Sequence, residues 1–175
     1  MAEAAIGGER LTSGPSRSQI ARLIALALPL ALLGGAFASQ YIGGLYPCEM
    51  CWWQRYPHAV AIVLAALAFT APADSRRSRT LVVLAALAIA VSGAIGVYHA
   101  GVELKIFQGF TTCSTTAKAA STADLLKQLM KVPLVRCDQV QWAFLGISLA
   151  GWNAILSLTG AAVVLWLTVT GKRVR

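Results

Sequence analysis

Four apolar stretches divide the chain. From Leu23 to Leu45 there is no charged residue, and a helix rising 1.5 Å per residue over such a run crosses a hydrocarbon layer of about 30 Å. Pro29 interrupts it, which a membrane helix tolerates when its neighbours satisfy the freed carbonyl. A second run covers about 53–73 and stops at the basic turn Asp74-Ser75-Arg76-Arg77-Ser78-Arg79; a third covers 80–98. Apolar character returns at Trp142, too early for one crossing, so the fourth span is placed at about 151–169, with Trp152 at the headgroup level and Trp142 to Leu149 along the surface. The pattern predicts an all-α membrane protein, a four-transmembrane-helix bundle over residues 20–170. Outside it lie a disordered tail, 1–19, and a basic tail, 171–175; loops of unequal length, 46–52 and 99–150, join the spans on one side.

Small residues recur at every fourth position in two spans: Gly35, Ser39 and Gly43 in the first, Ala88, Ser92, Gly96 and Ala100 in the third. Such stripes let membrane helices approach closely. The first also bears on a rival reading, in which Arg17 and Arg22 precede a leader cut at Ala36-Phe37-Ala38. The apolar run continues past that point to Leu45, and a discarded leader has no need of a packing stripe.

Composition agrees with this reading. The 175 residues are 57% hydrophobic and only 13% charged, too few charges to cover a soluble globule of that size. The net charge of +8 carries no nucleic-acid motif and is explained by loop asymmetry. Arg10, Arg17, Arg22, Arg76, Arg77, Arg79, Lys172, Arg173 and Arg175 fall on one side of the predicted spans. The positive-inside rule makes that side, with both termini, cytoplasmic. On the other side Arg55, Lys105, Lys118, Lys127, Lys131 and Arg136 are diluted by Glu49, Glu103, Asp124 and Asp138. Apart from Arg55 at the outer edge of the second run, no Asp, Glu, Lys or Arg lies within the apolar runs to form a transport pathway.

All four cysteines fall in the outer loops and so face an oxidising compartment: Cys48 and Cys51 in the short loop, Cys113 and Cys137 in the long one. Two structural disulfides are one reading. Chain-entropy bookkeeping values a 25-residue loop at roughly 3.5 kcal/mol and a four-residue loop at only about 1.9. Cys113 to Cys137 is therefore a reasonable staple and Cys48 to Cys51 a poor one. A tight C-x-x-C is more often a redox couple. With a helix starting near Cys51, its sulfur lies at the positive end of a macrodipole, and Arg55, one turn on, can face the same sulfur. Pro57 is tolerated only near the start of that helix, which limits how early the helix can begin. Metal binding is not expected: zinc wants four suitably spaced ligands, and His58 and His99 have no paired motif.

Aromatic residues crowd the outer side, among them Tyr41, Tyr46, Trp52, Trp53, Tyr56, Tyr98 and Trp142, as an interfacial belt or as walls for a flat, lipid-soluble ring. Gln40, Gln54 and His99 lie at that level and can hydrogen-bond either a ligand carbonyl or a neighbouring helix. In the long loop, Ser121 and Asp124 precede Leu125, Leu126, Leu129 and Met130, with Pro133 as a stop, the pattern of a capped amphipathic helix on the membrane surface.

Taken together, Pro47-Cys48-x-x-Cys51-x-x-Gln54-Arg55, Tyr98-His99-Ala100-Gly101-Val102-Glu103, Cys137-Asp138 and Trp142-x-Phe144-Leu145-Gly146 resemble the DsbB family of quinone-dependent disulfide-forming proteins of the bacterial inner membrane. The likeness spans about 20–170. It implies that Cys113 and Cys137 form the disulfide attacked by a periplasmic thioredoxin-fold (DsbA-like) partner, with Cys113 taking the mixed disulfide. It further implies that Cys137 exchanges with Cys48, and that Cys51 passes electrons to ubiquinone or, alternatively, menaquinone. Arg55, Gln54 and His99 would contact the quinone. Two other classes fit the residues: a tetraspan scaffold with structural disulfides, and a vitamin-K-epoxide-reductase-like quinone reductase, which would place its C-x-x-C differently among the spans.

Overall fold

The computed structural model describes residues 14–109, 121–123 and 135–170. Cys113, the amphipathic segment of the long loop and the basic tail 171–175 lie outside the described residues or largely so. Helix α1 runs Arg17–Tyr41, α2 Glu49–Ala68, α3 Arg76–Glu103 and α4 Leu149–Thr170. Around the bundle α1 packs on α2 and α4, and α3 packs on α2 and α4. By length and composition α1, α3 and α4 can each cross a membrane. The first half of α2 carries Glu49, Gln54, Arg55 and His58.

Each helix boundary has a local cause. α1 begins inside what the sequence reads as disordered tail, because Ser16 and Gln19 form a capping box: Gln19 N–H donates to Ser16 Oγ (3.3 Å) and Ser16 N–H to Gln19 Oε1 (2.7 Å). It ends before Gly44, whose φ of +67° suits glycine. α2 starts at Glu49, eight residues before Pro57, and not within a turn of it as expected; an interior proline is tolerated where neighbouring helices bond nearby carbonyls. Ser92 of α3 donates to the Gln54 carbonyl at 2.8 Å, one residue beyond the Trp53 carbonyl whose helical donor Pro57 lacks. α3 is capped by Ser75, which accepts from Ser78 N–H (3.2 Å).

Trp142 to Leu149 is not a simple surface segment. It contains a two-stranded antiparallel hairpin, β1 Ala143–Phe144 and β2 Ile147–Ser148, closed by Leu145 (φ 53°) and Gly146 (φ 77°). Two positive φ values in a two-residue loop match the twist of the flanking strands. Among the described residues the other regular elements are the four helices.

The core is built of small residues. Ala21 and Ala25 meet Ala61, Ala65 and Ala68, then Val82, Ala85, Ala86 and Ile89, and Ala161, Val164 and Leu167. Larger apolar side chains such as Leu30, Val63, Leu87, Val91 and Val163 face outward, the distribution a lipid-facing surface requires. Of the two stripes, that of α3 behaves as expected: a Cβ at Gly96 would lie 3.0 Å from the Ala150 carbonyl oxygen of α4. At Gly35 of α1 a Cβ would meet nothing within 4 Å; Gly35 and Ser39 form the wall of a cleft.

One end of the bundle collects arginines. Arg22 of α1 donates to the Ala71 carbonyl beyond α2 (3.2 Å), and Arg79 of α3 to the Thr168 carbonyl of α4 (2.6 Å). Cys48 and Cys51 lie at the opposite end of α2, where it begins.

Candidate active site

Cys48 is the N-cap of α2 and Cys51 lies in its first turn. Their sulfurs are 3.3 Å apart, with the Cys48 thiol donating to Cys51. At this separation no disulfide joins Cys48 to Cys51. Cys48 and Cys137, each 2% exposed, share a small cluster with Met50 and Val102. A hydrogen bond with the Cys137 thiol, another with Cys51 and burial together push the Cys48 thiol well above the usual cysteine range, so Cys48 holds its proton while Cys51 accepts.

The segment bearing Cys137 is clamped. Asp138 pairs with Arg136 and Lys105 at 2.8 Å each, and these two cations hold its carboxyl well below the usual range. Lys105 also donates to the Asp138 carbonyl (2.6 Å), and Gln141 donates to the Tyr46 carbonyl (2.8 Å). The loop is thus tied to the end of α3 on one side and to the approach to Cys48 on the other.

A cleft of about 330 Å³ opens beside the pair, lined by Cys48, Cys51, Gln54, Arg55 and His99, with Ala36, Leu156 and Trp152 among its apolar walls. Volume and lining suit a small, mostly apolar ligand with a few oriented polar groups. Arg55 is 7% exposed. Its guanidinium does not bond Cys51 as the helical spacing suggests: it donates to Gln40 Oε1 (2.6 Å) and the Ala36 carbonyl (2.9 Å) and lies over Phe37 and Trp52. A side-chain amide oxygen and a backbone carbonyl of α1 hold the guanidinium in place of a sulfur on its own helix. Gln40, read as a donor toward a ligand, accepts from Arg55.

His99 comes nearer the cysteines than the sequence indicates. Its Nε2 is 3.5 Å from Cys48 Sγ and its Nδ1 is 2.8 Å from Gln54 Nε2. The donor atoms of Cys48, Cys51 and His99 lie within 4.8 Å of one another. Residues passed over in the sequence continue this polar path. Asn153 donates to Gln54 Oε1 (2.8 Å), and Asn153 Oδ1 is approached by His58 Nε2 (2.9 Å) and the Ser157 hydroxyl (3.1 Å). An isolated asparagine in an apolar run is the signal that could have found them.

Three thiols gathered at one end of a helical, multi-pass membrane bundle supply the groups that dithiol–disulfide exchange needs. The profile of the family described as "Disulfide bond formation protein DsbB" matches residues 18–167, and the chain belongs to that family. It is similar to proteins named Disulfide bond formation protein B from Aromatoleum aromaticum (32% identical, covering 84% of this chain and 89% of the relative) and from a Shewanella species (31%, covering 88% of each). A protein of the same name from a Polaromonas species is 29% identical, covering 90% of this chain and 94% of the relative. No solved structure matches the chain.

Proposed function

We propose that the protein is a quinone-dependent protein-dithiol oxidoreductase of the bacterial inner membrane. It reoxidises a periplasmic thioredoxin-fold (DsbA-like) oxidase and delivers the electrons to ubiquinone, with menaquinone the alternative. The single observation that carries this reading is the position of Cys137 against Cys48, which itself touches Cys51 at the mouth of a cleft. That order suits a relay. The partner's dithiol reduces a Cys113–Cys137 disulfide, Cys113 taking the mixed disulfide. The Cys137 thiolate then attacks Cys48 of a Cys48–Cys51 disulfide. A Cys137–Cys48 bond forms, the Cys48–Cys51 bond breaks, and Cys51 leaves with the electron pair as a thiolate facing the cleft.

The cleft fits a quinone ring. Gly35 leaves its α1 wall without a side chain, and Arg55 and His99 bring polar groups to an otherwise apolar space. When bound, the quinone takes up two electrons and two protons, so the net reaction is partner dithiol plus quinone to partner disulfide plus quinol. Arg55, already fixed by α1, supplies a positive charge at the cleft, and Gln54 and His99 supply the other polar contacts.

In the topology proposed here, α2 crosses the membrane with the other three helices, both termini are cytoplasmic and the cysteines face the periplasm. The separation of the arginine end from the cysteine end supports it. The test mixes purified protein, quinone and a reduced periplasmic dithiol partner. Coupled quinone reduction and partner oxidation are expected, and a partner whose second thiol is replaced is expected to attack the Cys113–Cys137 disulfide, release Cys137 as a thiolate and accumulate a mixed disulfide through Cys113. No turnover, or trapping through Cys48, refutes the relay.

A further inference from the structure

A line of hydrogen bonds runs from the middle of the bundle to the cysteine pair, and its direction is fixed. Backbone carbonyls only accept. Gln54 Nε2 donates to the Met50 carbonyl (3.1 Å) and Asn153 Nδ2 to the Ser92 carbonyl (3.3 Å), which orients both amides. Gln54 Oε1 therefore accepts from Asn153 Nδ2 (2.8 Å), while Gln54 Nε2 also donates to His99 Nδ1 (2.8 Å). An N–H aimed at Nδ1 requires a lone pair there, so the neutral ring carries its proton on Nε2. That N–H faces Cys48 Sγ at 3.5 Å; Glu103 Oε1, at 3.9 Å, is beyond hydrogen-bond range. The Cys48 thiol in turn donates to Cys51. Asn153 is itself held by the Ser157 hydroxyl and His58 Nε2 on its Oδ1.

The same three donor atoms of Cys48, Cys51 and His99 lie close enough to hold a soft metal ion, and zinc takes thiolate and imidazole ligands of this kind. Coordination through Nε2 needs a lone pair on that atom, which moves the ring proton to Nδ1 and against the Gln54 N–H. Turning the Gln54 amide over does not help: its oxygen would then face the Met50 carbonyl and its NH₂ the Asn153 NH₂. We propose that Asn153 is a positioning residue that fixes, through Gln54, the Nε2–H tautomer of His99, so that the cluster presents an N–H to sulfur and not a lone pair to a metal. This deepens the redox reading of the site and rests on it for its biological purpose.

The experiment uses the full chain, reduced and purified in detergent. Nitrogen-15 NMR of labelled histidine reads the His99 tautomer. Titration with Cd²⁺ alone, followed by sulfur-to-metal charge-transfer absorption, reads metal affinity. Wild type is expected to show a single Nε2–H tautomer. Asn153→Leu and Gln54→Leu are expected to show averaged tautomers and at least about tenfold tighter cadmium binding, the equivalent of one hydrogen bond at ~1.4 kcal/mol. Ser157→Ala, which leaves the donor line intact, is expected to match wild type. An Nδ1–H tautomer in wild type overturns the proposal with no variant needed, as does an Asn153→Leu protein with wild-type tautomer and cadmium affinity. If Asn153→Leu does not accumulate, Asn153→Ser, too short to reach Gln54, is read the same way. Neither readout involves quinone or partner, so a protein that fails the coupled oxidation can still pass this test.

Discussion

A close approach of α3 to the backbone of α4 makes a quantitative prediction. At Gly96 a methyl group would lie 3.0 Å from the Ala150 carbonyl oxygen, 3.1 Å from the Ala154 nitrogen and 3.2 Å from Asn153 Nδ2. Two of these neighbours are backbone and cannot rotate away, so Gly96→Ala must separate the helices or tilt them. Overpacking of this kind costs about 1–3 kcal/mol, and a membrane hydrogen bond loosened at Asn153 adds roughly 0.6. Against that, alanine gains up to ~1 kcal/mol over glycine in a helix. The net expectation is a loss of roughly 0.6–2.6 kcal/mol. Gly34 provides the opposite case: it is exposed, and an added Cβ meets nothing within 4 Å, so Gly34→Ala retains only the helical gain. Reversible unfolding in mixed micelles, followed by circular dichroism, should show shifts of opposite sign for the two variants. Equal shifts, or Gly96→Ala as stable as wild type, would refute the packing argument.

Arg55→Lys keeps the charge but cannot reach both Gln40 and the Ala36 carbonyl or lie flat on Phe37 and Trp52. Losing one charge-assisted bond, at about 1.5 kcal/mol, should raise the KM for quinone roughly tenfold with thiol exchange at Cys137 unaltered; an unchanged KM would remove Arg55 from the site. The Asp138 clamp is pH-dependent. Arg136 first, then Lys105, depress its pKa, so its contribution is present above the unfolded value of about 3.9 and fades as pH falls toward the lower folded value. The stability difference between wild type and Asp138→Asn should therefore be constant from about pH 5 to 7 and shrink below about pH 4; a difference that grows on acidification would contradict the assignment.

What the sequence shows and what it hides follow from the range of each interaction. The spans of α1, α3 and α4 are legible because a bilayer demands length and apolarity, properties that need no partner. Their ends are less so: the Ser16–Gln19 box sits in a stretch whose composition otherwise reads as tail, and Cys48 gives no side-chain bond to advertise itself as a cap. The hairpin escapes because strands of two residues have no period, and Leu145 occupies a positive φ that usually selects asparagine or glycine. At the site, Cys48, Cys51, Gln54 and Arg55 are legible from local spacing. The approach of His99 to Cys48 depends on how α2 and α3 pack, and Arg55 turns to α1 because its carbonyls near Gln40 are in reach. Neither fact exists in a single segment.

The aromatic hairpin acts as a depth gauge. β2 passes into α4 with no intervening residue, and the rings of Trp142, Phe144 and Trp152 stand in a row, with Trp152 Nε1 donating to the Phe144 carbonyl at 3.0 Å. Such rings settle at the headgroup level. Asn153 is the next residue in the chain, so the height at which lipid seats the tryptophans also sets how dry the asparagine is. The aromatic row and the start of the polar line to Cys48 are thus one peptide bond apart, so the residue that anchors the outer end of α4 also sets where Asn153 meets Gln54.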